Sequence, residues 1–274
     1  MSVDVLMEWL PFALTLLGAG IFAGVLAGLL GVGGGIVIVP VLYHLFTQLD
    51  LDTAIRMHLA VGTSLATIIP TAISSARSHH KKQAVDFDLL KSWGIAIAIG
   101  VVIGATLAAF LSGEALQSVF GIVALLVALN MAFGKQSWRL GAALPREPFR
   151  GLLGVFVGGF SSMMGIGGGT LSVPIMTLYN VPVHRAVGTA SAIGLIIAVP
   201  GAISFMVSGW QAEGLPPFSV GYVSLLGFAL IVPMTILSAP WGAKLAHALP
   251  VIWLKRAFAV FLFLTGVRML DLFG

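Results

Sequence analysis

The stretch GVGGGIVIVP, residues 31–40, sets four glycines within five positions inside an otherwise apolar run. Glycine in a helix interior costs roughly 1 kcal/mol relative to alanine, so such a cluster marks an interruption. The pattern returns as GIGGGTLSVP, residues 165–174, and in both copies a proline follows five positions after the last glycine. The chain twice places flexible, side-chain-free backbone in apolar surroundings, and its fold is built around those two breaks.

Of the 274 residues 58% are hydrophobic and 9% charged, and the mean hydropathy is +1.06. Soluble domains carry about a quarter charged residues, so this chain reads as an all-α polytopic membrane protein. A transmembrane β-barrel would show short alternating segments, whereas these apolar runs approach or exceed the ~20 residues of a spanning helix. The pI near 9.7 reflects basic residues lying between apolar runs, a topological pattern and not a nucleic-acid surface. The absence of cysteine excludes disulfides, thiol chemistry and thiolate metal sites. No metal, cofactor or catalytic residue is expected, since no H-E-x-x-H or G-x-S-x-G motif is present. The opening MSVDVLMEWL holds Asp4 and Glu8 and no Lys or Arg, unlike a signal peptide.

Prolines, glycines and charges divide the chain into ten apolar segments, at about 10–30, 36–46, 54–76, 89–111, 115–133, 151–164, 169–180, 185–208, 218–243 and 251–271. Between the fifth and sixth lies GKQSWRLGAALPREPFR, the longest polar linker. The two sides match beyond the glycine clusters. HLAVGTS from His58 pairs with HRAVGTA from His184, and PTAIS from Pro70 with PGAIS from Pro200. More loosely, GATLAAFLSGEALQSVFGI from Gly104 pairs with GAKLAHALPVIWLKRAFAV from Gly242. Four blocks in the same order define an internal duplication. The expected organisation is a first membrane repeat at 1–133, a basic cytoplasmic linker at 134–150 and a second repeat at 151–274.

Twelve of the fourteen Lys and Arg lie in 76–91, in the linker, at Arg185 and around the last connection. The loops TQLDLD, SGE and SGWQAEGLPPF have none. The positive-inside rule puts the basic set in the cytoplasm. The 76–91 loop then faces inward and its counterpart SGWQAEGLPPF outward. The repeats are therefore expected to be inverted, as in many secondary transporters, with both termini external. Segments two and seven, of about 11 and 12 residues, reach only ~16–18 Å, against a ~30 Å hydrocarbon core. The first pair of each repeat reads as a re-entrant or broken hairpin with the glycines at its tip, or as two thin full crossings.

Irregular backbone at membrane depth is tolerated only inside protein or beside a water-filled cavity. A glycine tip leaves unpaired the first N–H groups of the half-helix that follows it. These lie around Gly33, Gly34 and Gly35, and around Gly167, Gly168, Gly169 and Thr170. With the positive end of the helix dipole they suit an anion, and inversion would aim both tips at one midplane site. The competing reading is close helix packing, for which membrane proteins also use small residues. All ten acidic residues fall at termini, in loops or at segment ends. Cation pumps and proton relays usually hold one in mid-membrane, so an anionic or neutral substrate is favoured. Thr63, Ser64, Thr189 and Ser191 lie in or beside the repeated AVGT block, as ligand donors or as hydroxyls bonded back to their own helix. His58 and His184, at matching positions before it, are proton-coupling candidates or packing residues. Arg56 breaks the inside pattern and could draw anions inward or pair with Asp50 or Asp52. The six tryptophans and most phenylalanines read as lipid-facing or interfacial.

In GVGGGIVIVP with HLAVGTS, and GIGGGTLSVP with HRAVGTA, the sequence resembles the sulfite exporter TauE/SafE family, also called the 4-toluene sulfonate uptake permeases. The resemblance covers essentially the whole chain. It implies transport of sulfur-containing anions, such as sulfite, sulfoacetate or other organosulfonates, across the bacterial inner membrane. It carries onto the glycine clusters, Pro40, Pro174 and the two AVGT blocks. Ser64 is matched by Ala190, with Ser191 next, so the site need not be symmetric. The expected function is a secondary transporter alternating access around that site, with protons as the candidate coupling ion. A channel-like pore for anions or small solutes is the alternative, and an oligomer is compatible with either.

Overall fold

A computed structural model of the chain describes residues 3–30, 33–134, 139–248 and 251–270. In the first half they form α1 (Val3–Leu30), α2 (Gly35–Gln48), α3 (Thr53–Lys81), α4 (Phe87–Phe110) and α5 (Gly113–Phe133). The second half holds α6 (Phe149–Met164), α7 (Gly169–Leu178), α8 (Val183–Ser208), α9 (Leu225–Ala248) and α10 (Val251–Met269). One hairpin, β1 (Ser219–Val220) with β2 (Val223–Ser224), precedes α9. The ten helices take up the ten apolar segments. Among the described residues six stretches are long and apolar enough to cross a membrane: α3, α4, α5 and α8, with Leu10–Leu29 in α1 and Leu225–Gly242 in α9.

The start of each helix follows from its first residues. The side chain of Asp52 accepts the Ala54 N–H (2.9 Å), that of Asp86 the Leu89 N–H (3.0 Å), and that of Ser112 the Ala115 N–H (3.2 Å). Each satisfies a donor that the first turn leaves free. At α6, Glu147 takes the Arg150 Nε and the Gly151 N–H. These two bonds, the Arg150 one foremost, hold its carboxyl below the ordinary carboxylate range. α2 and α7 have no side-chain cap; they start from Gly34 and Gly168.

α1, with 28 residues, is longer than a half-helix, because its apolar run continues unbroken up to the glycines. α2, α6 and α7 have 14, 16 and 10 residues, about 15–24 Å of helix and short of a ~30 Å core. α9 begins at Leu225, seven residues after the start of its apolar segment. Gly221, with φ +53°, opens a two-residue turn that pairs Ser219 with Ser224, and Val223 and Ser224 are buried. Apolar content alone does not separate that hairpin from the helix; the period-2 pattern with a turn glycine does.

The tightest packing runs between the halves. α1 lies on α9, α6 on α4, α3 on α8, and α5 on α10. These pairs are interchanged when the halves are exchanged. On α1, Gly20 sits against Ile231 and Met234, and Gly24 against Thr235 and Ser238; on α6, Gly154 sits against Trp93 and Ala96, and Gly158 against Ile97 and Val101. Gly20 and Gly24 match Gly154 and Gly158, and Ile231, Met234 and Thr235 match Trp93, Ala96 and Ile97, so three of these four pairs of contacts are equivalent. α3 and α8 run antiparallel: Ser75 meets Ser191, while Ala72 faces Gly194, Leu65 faces Gly201 and Gly62 faces Phe205. Small residues let such backbones approach closely.

Not every aromatic residue faces lipid. Trp93 is fully buried, with its Nε1–H donated to Arg150 O (2.9 Å), and Phe120 and Phe205 are buried with it. That corrects the lipid-facing reading for these three. Trp93 fills the space beside Gly154 and brings its own hydrogen-bond partner, which hydropathy does not register. Trp210 and Trp241 are exposed, as expected.

Candidate functional site

The two glycine breaks meet at the centre of the molecule. α6 ends at Gly165, in the left-handed conformation with φ +66°, and the N–H groups of Gly165 and Ile166 turn back to Ser162 O (3.3 Å) and Ser161 O (3.0 Å). Glycine takes this conformation without a Cβ penalty. Gly33 and Gly34 are also left-handed, with φ +72° and +77°. Gly31 lies outside the described residues.

A Cβ on Gly33 would stand 3.2 Å from Gly167 Cα. These two glycines hold the same place in their respective halves, so they meet where the two halves are related. Ile68 of α3 lies against the same point, 3.3 Å from that Cβ. Ser64 Oγ donates to Gly165 O (2.7 Å), and a Cβ on Gly35 would press on Ser64 Oγ at 2.9 Å. Gly33, Gly35, Ser64, Gly165 and Gly167 therefore form one cluster from both halves. Gly34 instead packs on α1, where a Cβ would stand 2.9 Å from Ala23 O, and Gly168 on α8, where one would stand 2.8 Å from Ala190 O. The uncapped first turns of α2 and α7, with Gly35 and with Gly169 and Thr170, begin at this cluster.

Two hydroxyls there are buried without a hydrogen-bond partner among the described residues: Thr170 in the first turn of α7 and Ser161 in the last turn of α6. Thr170 was legible in the sequence from its place after the glycines. Ser161 was not, although it lies four residues before Gly165, one helical turn from the break. Their counterparts in the first half are Ile36 and Ala27, so the free hydroxyls belong to one side only. Among the described residues no cluster of His, Asp and Glu could hold a metal ion.

Other candidates are placed differently. Thr63 Oγ1 accepts the Ser224 N–H (2.8 Å), and Thr189 Oγ1 accepts the Asp86 N–H (2.9 Å). Each hydroxyl thus fixes the segment leading into the fourth helix of the opposite half. Ser191 Oγ donates to Val187 O (3.0 Å) and lies 3.0 Å from Ser75 Oγ. His58 is buried and His184 exposed, so their matching positions do not give them matching surroundings. The His58 ring places Nδ1 3.0 Å from Ala54 O and Nε2 3.0 Å from Ala108 O, in the last turn of α4, and packs against Tyr222 at 5.0 Å. Arg56 gives Nε and Nη2 to Leu51 O (3.2 and 2.6 Å) and lies over the Tyr43 ring; no ion pair with Asp50 or Asp52 forms among the described residues.

Buried helix breaks facing one another inside a bundle of long apolar helices define a multi-pass membrane protein with the architecture of a transporter. The chain matches the family model described as "Sulfite exporter TauE/SafE" over residues 16–269 and belongs to that family. It is 34% identical to a probable membrane transporter protein of Haemophilus influenzae, over 94% of this chain and 98% of the relative. A probable membrane transporter protein of Methanocaldococcus jannaschii is 28% identical over 98% of this chain and 100% of its own length. The Bacillus subtilis probable membrane transporter protein YunE is 32% identical over 69% of this chain and 77% of its own. No solved structure matches the chain.

Proposed function

We propose that the protein is a secondary transporter, acting as an exporter, of small sulfur-containing anions such as sulfite or an organosulfonate across the bacterial inner membrane. The two halves act as inverted repeats with external termini, and the substrate binds between the glycine tips. The observation that carries this reading is the buried, unpartnered Thr170 hydroxyl beside the uncapped starts of two helices that meet at Gly33 and Gly167. Free N–H groups, helix dipoles and spare hydroxyls together match the three acceptor oxygens of a sulfonate or sulfite. A cation would find no carboxylate there. The closed packing of Gly33, Gly167 and Ile68 favours alternating access over an open pore. His58 is the proton-coupling residue of this scheme. A neutral ring has one N–H and serves either Ala54 O within α3 or Ala108 O across on α4, whereas a doubly protonated ring serves both at once.

In proteoliposomes the wild type should show saturable sulfite or toluenesulfonate flux with counterflow; unsaturable conductance would establish the pore instead. Thr170→Val and Ser161→Ala each remove an unsatisfied hydroxyl, so the fold should lose nothing. A charge-assisted bond is worth roughly 1.5–3 kcal/mol, so anion affinity should fall at least tenfold. Wild-type affinity in both variants would move the anion elsewhere. His58→Gln should flatten the response of flux to a pH gradient, and an unchanged response would remove it from the mechanism.

A further inference from the structure

Away from the glycine tips, a groove of about 450 Å³ opens between the C-terminal half of α3 and α9. Pro70 and Ile73 of α3 form its apolar wall with Ile236 of α9, and Ser74, Arg77, Ser78 and Lys81 form its polar one. The α3 residues are spaced three and four apart and so share one helix face. Neither Arg77 nor Lys81 has an ion-pair partner among the described residues, whereas Arg185 and Arg150 do.

The hydroxyls carry the second, independent observation. Serine and threonine in apolar helices usually bond back to a carbonyl of the preceding turn. Thr71, Ser191 and Ser204 do so here, each to the carbonyl four residues earlier. Ser74 and Ser78 make no hydrogen bond to protein among the described residues. The contrast is sharpest with Ser204. Its place after Pro200 repeats that of Ser74 after Pro70, yet Ser204 Oγ donates to Pro200 O at 2.8 Å. Two cations and two uncommitted hydroxyls thus line one wall of a groove whose other wall is apolar.

We propose that this groove is an anion site, distinct from the glycine tips, for an oxyanion carried on an apolar body: a sulfonate, sulfate or phosphate group held by Arg77, Lys81, Ser74 and Ser78, with its apolar part against Ile73 and Ile236. The last turn of α3 opposes an anion with about half a negative charge. Two full positive charges outweigh it, and a guanidinium can grip two oxyanion oxygens at once. A free organic sulfonate and an anionic phospholipid headgroup share this chemistry. Behind the walls, Thr71 Oγ1, next to the lining Pro70, lies 3.0 Å from Thr235 Oγ1, next to the lining Ile236, and both side chains are buried.

The test uses the full-length protein in nanodiscs, with 4-toluenesulfonate as the soluble probe and phosphatidylglycerol against phosphatidylcholine as the lipid probe. Arg77→Gln/Lys81→Gln should weaken binding of one probe at least tenfold, and Ser74→Ala/Ser78→Ala about threefold, with unfolding temperatures unchanged because both pairs line an open groove. Loss in the toluenesulfonate arm identifies a solute, and loss in the phosphatidylglycerol arm a headgroup. A control pair, Lys82→Gln/Lys91→Gln, removes equal charge from the same end and should leave both arms unchanged. Wild-type binding of both probes by the Arg77/Lys81 pair, or equal loss in the control pair, overturns the proposal. Thr170→Val separates the two sites: if it alone weakens toluenesulfonate binding while the Arg77/Lys81 pair leaves both probes unchanged, the groove fails and the glycine-tip reading stands. If Arg77→Gln/Lys81→Gln alone does so, the reverse holds.

Discussion

A left-handed backbone at Gly34, with φ +77° and Ala23 O only 2.9 Å from where a Cβ would lie, leaves no room for any other residue. Conformation alone costs an L-residue about 1–2 kcal/mol there, and the carbonyl of α1 cannot swing aside as a side-chain tip would. Gly34→Ala should therefore lower the unfolding temperature of the purified protein, with anion affinity retained in the fraction that folds. An unchanged unfolding temperature would mean that α1 yields at this point. The AVGT threonines answer to a different test. Thr63→Val and Thr189→Val are close in shape, and each strands one N–H, that of Ser224 or Asp86. An unsatisfied buried donor costs about 1–3 kcal/mol; the Ser224 bond is buried and the Asp86 bond only part-buried, so Thr63→Val should lose more stability than Thr189→Val. Thermal unfolding of both checks this, and loss of anion affinity without loss of stability would return them to the binding site. The sequence marks these threonines as special because they are repeated. It cannot say why, since their partners lie 161 and 103 residues away.

Pairs of helices are locked by glycines whose neighbours are backbone. A Cβ on Gly24 would run into Thr235, and one on Gly158 into Ile97, both well inside van der Waals contact. Overpacking of this kind costs about 1–3 kcal/mol where neighbours can adjust, and backbone adjusts least. Gly24→Leu and Gly158→Leu should both reduce yield of folded protein, whereas Gly18→Leu, in the same helix as Gly24 but with nothing within 4 Å, should be accepted. Equal tolerance at all three positions would refute close glycine packing of α1 on α9 and of α6 on α4. All ten helices were legible as apolar segments, and α5 and α6 within two residues at each end, because apolar length and polar breaks are local properties. The hairpin before α9 was missed because Val220, Val223 and the helix that follows are equally apolar. The burial of Trp93 was missed because it depends on a glycine 61 residues away on α6. The glycine breaks were visible as breaks; that Gly34 and Gly168 pack on neighbouring helices while Gly33 and Gly35 reach the other half depends on the direction each Cα–H points.

At the scale of the whole molecule, the exchange of partners means that neither half completes its own packing. α1 lies on α9 and α6 on α4, while Thr63 and Thr189 secure segments of opposite halves. The antiparallel course of α3 and α8 gives this exchange a direction. The turn after α3, with Ala84 against Gly188 and Asp86 on Thr189, sits at the start of α8; the segment after α8, with Tyr222 against Gly62 and Ser224 on Thr63, sits toward the start of α3. Gln83 and Gln211 are exposed in those two connections, so they emerge at opposite ends of the pair. The chain has no cysteine, and a single cysteine at either position is the only thiol an impermeant reagent can find. Arg77, Lys81, Lys82 and Lys91 cluster around Gln83, whereas 209–224 carries no Lys or Arg. Basic loops stay in the cytoplasm, so reagent added to intact cells should label Gln211→Cys and spare Gln83→Cys, with both labelled once the cells are opened. Labelling of position 83 alone would keep the inversion but turn the molecule over, placing the termini inside. Labelling of both from outside would separate the repeats from any inverted arrangement, and with it remove the reason for two glycine tips to approach one site from opposite sides of the membrane.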